Sequence, residues 1–147
     1  WHDPKRNKDH YSWYFHTRSD ESLGLIHKLF YRDNIKIVPK DLIEILEPLG
    51  LSIWYMDDGS NNGSNITLNT HCFSNEEQEM IRNWFREKFA IQTTLVKDRS
   101  KFKIAIGYYE LPKFMNIVQP HIIPSMSYKI VSPRNDLSAR GGQVAIL

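Results

Sequence analysis

Leu51-Ser52-Ile53-Trp54-Tyr55-Met56-Asp57-Asp58-Gly59-Ser60 is the stretch on which the rest of the chain depends. It reads as a short apolar helix that ends in two carboxylates and a glycine. Pro48 opens the helix, as a first-turn proline can. Gly59 is expected to end it in the left-handed conformation, which only glycine enters cheaply. Asp57 and Asp58 then fall in the last turn, where the helix dipole is negative and unpaired carbonyls repel them. Lys or Arg would stabilise such a turn. The simplest physical account of two acids there is a cation bound through carboxylate and carbonyl oxygens, and Mg²⁺ suits such ligands. A solvent-exposed helix end before a polar turn is the plainer alternative.

Downstream of Gly59 the pattern changes to alternation. Ile66, Leu68 and Thr70 fall on one side of a strand, and Thr67, Asn69 and His71 on the other. Asn61-Asn62-Gly63-Ser64 supplies the turn of a hairpin. Ser74-Asn75-Glu76-Glu77 is a capping box. It starts a helix to about Phe89, with Met80, Ile81, Trp84, Phe85 and Phe89 facing inward. A second hairpin follows: Gln92 to Lys97, a tip at Asp98-Arg99-Ser100, and Lys101 to Gly107. A short helix spans Leu111 to Val118 and stops before Pro120.

Upstream, Tyr11 to His16 reads as a strand. Ser19 or Asp20 caps a helix to about Tyr31, with Leu23, Ile26, Leu29 and Phe30 on one face. Lys36 to Pro39 is an extended link, and Asp41 to Leu46 a helical turn. Residues 132 to 147 have no periodicity and read as a tail.

Residues 48 to 130 thus spell helix, hairpin, helix, hairpin, helix. This is an α+β layer, an antiparallel sheet with helices on one face and a polar opposite face. Its polar face suits the DNA major groove, which admits a two-stranded ribbon. Ser60, Asn62, Asn65, Thr67, Asn69, Arg99, Lys101 and Lys103 are candidate readers. Lys97 joins the basic cluster at the second hairpin, which equally reads as a solvated hairpin tip, and Lys5, Arg6 and Lys8 form another group near the start. The lysines suit phosphate better than bases. A net charge of +2 does not by itself argue for nucleic acid. In 147 residues, 41% hydrophobic, there is room for one domain with a packed core. No apolar run approaches membrane-spanning length, so no membrane partner is expected. Cys72 is the only cysteine, so there is no intrachain disulfide and no cysteine zinc site.

The Met-Asp-Asp-Gly ending of the motif, in the variant whose helix carries bulky aromatics, resembles the LAGLIDADG motif of homing endonucleases. So do Lys36-Ile37-Val38-Pro39 ahead of it, Leu68-Asn69-Thr70 after it and Ile123-Pro124-Ser125-Met126-Ser127-Tyr128-Lys129 near the end. The resemblance implies an αββαββα repeat whose saddle-shaped antiparallel sheet lies in the major groove. It implies a second repeat over 48–131, preceded over 1–47 by the C-terminal part of a first. On that count the first motif helix belongs to another polypeptide or to a removed N-terminal portion. A distinct partner is then favoured over a homodimer.

The same resemblance implies site-specific cleavage of double-stranded DNA with Mg²⁺, or Mn²⁺ or Ca²⁺ as substitutes. Asp58 matches the family's metal-binding acid. Asp57 matches a position that is not usually a ligand and is kept as a secondary metal candidate. Lys129 and Lys36 match the lysines that order water near the scissile phosphates, although a lysine by itself is most often exposed and passive. His71 is a candidate for catalysis or for simple DNA contact. Many family members carry small residues early in the helix for close pairing; here those positions are Ser52 and Ile53, and Ile53 with Trp54 and Tyr55 is bulkier. An RNA-binding intron maturase of the same fold is the main alternative. A DNA-binding regulator and an intein setting are weaker ones.

Overall fold

The computed structural model describes residues 15–41 and 45–131. Of the strand expected over Tyr11 to His16, only Phe15 and His16 lie in this range, and neither is in a strand. The basic group Lys5, Arg6 and Lys8, part of the turn at Asp41 to Leu46, and the tail 132–147 lie outside the described residues.

Helix α1 (Glu21–Phe30) starts at Asp20, whose side chain accepts from the Ser22 N–H at 2.9 Å. Its apolar stripe is where the sequence places it, yet none of its residues is buried. Leu23, Leu25, Ile26 and Leu29 are exposed. The helix passes directly into a tight hairpin, β1 (Tyr31–Arg32) and β2 (Ile35–Lys36), with Asp33 and Asn34 both at positive φ. Two positive φ values in a two-residue loop match the twist of the flanking strands, and Asn and Asp tolerate that region better than most residues. The extended link expected from Lys36 therefore begins as a strand. Val38 and Pro39 then tuck into the core.

Helix α2 (Pro48–Asp58) is the motif helix. It buries Leu51, Ser52, Tyr55 and Met56, and Tyr55 meets Phe114 edge-to-face at 5.1 Å. Gly59 does not end it in the left-handed conformation: its φ of −83° and ψ of 150° are extended. The helix runs straight into β3 (Gly59–Asn61), so no reversal is needed. Glycine is required there for another reason. A Cβ would overlap both the ring and the carbonyl oxygen of Tyr55.

Strands β3, β4 (Ile66–Leu68), β5 (Thr93–Asp98) and β6 (Lys101–Ile106) form one antiparallel sheet in the order β3-β4-β6-β5. Ile66, Leu68, Ile104 and Ile106 point under α3 (Asn75–Phe89) and α4 (Leu111–Val118) and are fully buried with Trp84, Phe85 and Phe114. The capping box forms as read, and Glu77 does double service. One carboxylate oxygen accepts from Ser74 N–H and the other from Val38 N–H, both at 2.9 Å. The cap of α3 thereby holds the link that leads to the motif helix.

One inward polar residue was not legible. Gln78, on the core face of α3, is buried. It accepts from the Thr70 hydroxyl at 3.1 Å and donates to the carbonyls of Phe102, at 3.1 Å, and Phe73, at 3.4 Å. The Thr70 hydroxyl in turn accepts from Ile104 N–H at 3.1 Å. This network caps β6 where β4 leaves it.

Candidate active site and nucleic-acid face

Two features of local chemistry meet where α2 becomes β3. Asp57 is exposed and Asp58 half-buried, and among the described residues neither carboxylate makes a hydrogen bond or an ion pair. Both stand at the negative end of a helix dipole. Lys129 lies beside them. Its side chain is buried, its ammonium donates to the Gly59 carbonyl, and it sits 5.8 Å from the centroids of Tyr55 and Tyr128. The Tyr55 hydroxyl donates to the Lys129 carbonyl at 2.6 Å. Burial pushes that phenol up to about 12, so it remains a donor. Asn61 completes the clamp through Nδ2 to the carbonyls of Tyr128, at 3.2 Å, and Ile130, at 3.3 Å. Asn61 was not singled out from sequence. The sequence places it in the first hairpin turn, whereas it is the last residue of β3.

Lys36 sits at the end of β2, exposed, with its ammonium 5.8 Å from the Phe73 ring centroid. His71 is engaged elsewhere than with the motif acids. Its Nε2 lies 3.1 Å from Asp98 Oδ2, and the Lys103 ammonium donates to the same oxygen at 3.1 Å.

The strand register assigns the candidate readers to faces. Ser60 pairs with Thr67, Thr67 with Ala105, and Ala105 with Thr94, a row across the sheet on the side away from the helices. Thr67 is nonetheless buried, and its hydroxyl has no partner among the described residues. Asn69 is exposed, and its N–H donates to the Asp58 carbonyl at 3.2 Å, which ties this face to the motif. Lys101 and Lys103 share the open face with Ala105. Lys97 does not: it pairs with Phe102, in phase with Ile104 and Ile106, and so falls on the helix side. A one-residue step in a strand reverses the face, and the charge cluster could not reveal the phase. Arg99 is at the hairpin tip, at a φ of 58°. Asn62 and Asn65 close the first hairpin on each other, Nδ2 to Oδ1 at 2.8 Å.

The donor set at Asp57 and Asp58 is hard oxygen without competing partners, which fits Mg²⁺ held by one or two carboxylates with the remaining positions left to water and phosphate. Among the described residues no group of three or more His, Cys, Asp or Glu side chains comes together as a metal site. Asp57 and Asp58 therefore offer two carboxylates toward such an ion, and no further His, Cys, Asp or Glu side chain joins them among the described residues.

Comparison with known proteins agrees with this architecture. The family model of the LAGLIDADG DNA endonuclease family matches residues 2–114. A cytochrome b mRNA maturase, bI2, of Saccharomyces cerevisiae is 34% identical over 79% of this chain and 30% of its own length. A probable intron-encoded DNA endonuclease of Mycosarcoma maydis is 31% identical over 81% of this chain and 93% of its own. The solved structure of the homing endonuclease I-WcaI bound to its DNA recognition sequence aligns with a TM-score of 0.66. That match has 30% identity over 75% of this chain and 51% of that one. The chain therefore spans about half of that solved chain and less than a third of the yeast maturase. With its helix–hairpin order, its four-stranded antiparallel sheet and its Met-Asp-Asp-Gly helix end, this chain belongs to the LAGLIDADG DNA endonuclease family.

Proposed function

We propose that the chain is part of a site-specific, homing-type endonuclease that hydrolyses phosphodiester bonds of double-stranded DNA with Mg²⁺, completed by a partner carrying another motif helix. The observation that carries this reading is the pair of carboxylates at the end of α2, without hydrogen-bond or ion-pair partners among the described residues, beside the sheet face turned away from α3 and α4. Asp58, with Asp57 as a secondary ligand, would hold the metal. Bound there, Mg²⁺ would neutralise charge on the scissile phosphate and activate water. Lys129 is fixed one residue from Asp58 by its bond to the Gly59 carbonyl, so its ammonium supplies a positive charge at the same place. Lys36 is exposed and free to reach phosphate from the other side. Ser60, Asn62, Asn65, Thr67, Asn69, Arg99, Lys101 and Lys103 supply the DNA face, and His71 serves it as a contact rather than as a base, being tied to Asp98. Lys97 contributes to phosphate contact from the edge at most.

The partner is proposed from surfaces. On α2, Leu49 and Ile53 lie a helical turn apart and are 54% and 55% exposed. On α1, Leu23, Leu25, Ile26 and Leu29 are exposed among the described residues, while Phe30 is half-buried against the core. A helix that shows an apolar stripe to solvent normally packs against something. We read residues 1–47 as the end of a first repeat and 48–131 as a second, so that another motif helix would cover Leu49 and Ile53 and bring its own acid to the metal. Light scattering of the chain alone and with such a partner, coupled to cleavage of intron-insertion-site DNA, tests this. Asp58→Asn should abolish cutting of at least one strand while DNA still binds. A homodimer that cuts alone would sink the distinct-partner reading.

The maturase reading is favoured by similarity to cytochrome b mRNA maturases, 34% identical in one case. If DNA binds and no pairing cuts it, while the chain promotes splicing of its intron RNA, that reading takes over.

A further inference from the structure

The open face of the sheet carries an acid where DNA would demand bases. Asp98 pairs with Lys101 across the β5–β6 hairpin, and in alternation it shares its face with Val96 and Lys103. A lone carboxylate there would be repelled by phosphates. It is not alone: the His71 imidazole and the Lys103 ammonium both contact Oδ2, each at 3.1 Å. Oδ1 makes no hydrogen bond among the described residues, and the side chain is 37% exposed. Asp98, His71, Arg99, Ser100 and Lys101 line a groove of about 340 Å³. The carboxyl is held below the ordinary aspartate value by its bonds to Lys103 and then His71, so it is ionised at neutral pH.

This arrangement has a chemical complement. The major-groove edge of a C·G pair shows one amino donor, on cytosine, beside the two acceptors of guanine. A carboxylate oxygen beside an ammonium matches it. An adenine edge fits less well, because its N7 lone pair adjoins the amino group and opposes an anion.

We propose that Asp98 is a specificity-determining residue that accepts from a cytosine amino group in the major groove, with Lys101 or Lys103 donating to the paired guanine. His71 and Lys103 position Asp98 by holding its other oxygen. The inference rests on the reading of this chain as a DNA-binding nuclease.

The test is selection from a randomised duplex library with the full chain, followed by competition with base-substituted versions of the enriched site. The unsubstituted chain should require a C·G pair, replacement of which weakens binding about tenfold or more, within the range a good base contact supplies. Asp98→Ala should lose the requirement at that pair alone. Asp98→Asn should shift the preference toward A·T, since an amide pairs with adenine. Thermal melts of each variant confirm folding, and the conservative Asp98→Asn carries the test if Asp98→Ala is unstable. Identical preferences with and without Asp98, or a change of affinity equal for all sequences, would overturn the proposal and leave the DNA reading intact. If the unsubstituted chain enriches no duplex, either alone or together with a partner carrying another motif helix, the DNA reading falls and this inference with it.

Discussion

At Gly59 the absence of a single carbon decides the geometry of the site. The backbone is extended there, so the usual argument from left-handed glycine does not apply. What matters is close approach: the position lies against the ring and carbonyl of Tyr55, one turn back on α2. Gly59→Ala forces α2 and β3 apart and should cost on the order of 2 kcal/mol, as overpacking does. The same shift would move the carbonyl that holds Lys129. Denaturant melts should therefore show a lower midpoint, and cleavage should fall further than stability alone explains. Asp58→Asn behaves oppositely. It leaves the packing untouched, so its melt should match the parent while cutting is lost.

Among the elements, α3 organises the rest through polar groups as much as through Trp84 and Phe85. Glu77 caps its own helix and holds Val38. Gln78 satisfies the carbonyls of Phe73 and Phe102 and the Thr70 hydroxyl. Gln78→Leu keeps the volume and strands those groups, so a loss on the order of 3 kcal/mol is expected in denaturation. The β5–β6 hairpin offers a pH test. Because the Asp98 carboxyl titrates below its ordinary value of 3.8 in the fold, its ties stabilise the hairpin fully above that value. That contribution is lost as pH falls through the lower folded value. Stability profiles of the parent and Asp98→Asn should differ at neutral pH and converge in acid.

For the molecule as a whole, the apolar surfaces that remain outside the core are the outstanding feature. Residues 48–131 close on themselves: their helices cover one face of the sheet, and the buried core runs through them and takes in Val38. Helix α1 and the Leu49–Ile53 flank of α2 have no such cover among the described residues. Ile53→Glu should barely change the stability of the isolated chain, within about 0.5 kcal/mol for an exposed position. If a partner's motif helix covers this flank, as proposed, the charge should abolish that association, read by light scattering. An association that survives the charge would place the partner elsewhere.

What the amino-acid order determined by itself is what neighbours in sequence decide. The alternation of Ile66 and Leu68, the Ser74–Glu77 cap, the apolar spacing of α3 and the limits of α4 are local patterns, and each appears where the residues place it. The two acids at the end of α2 were legible for the same reason: a helix end is a local event. Tertiary structure decided the rest because its partners are far apart in the chain. His71 meets Asp98 27 residues away, and Tyr55 meets Lys129 74 residues away. No short-range signal carries such pairs. The phase of a strand is equally hidden, so a run of four basic residues could not reveal that Lys97 faces the helices while Lys101 and Lys103 face away. Gly59 shows the same division. Its identity was readable as a constraint, but only packing against Tyr55 showed that the constraint was space and not conformation.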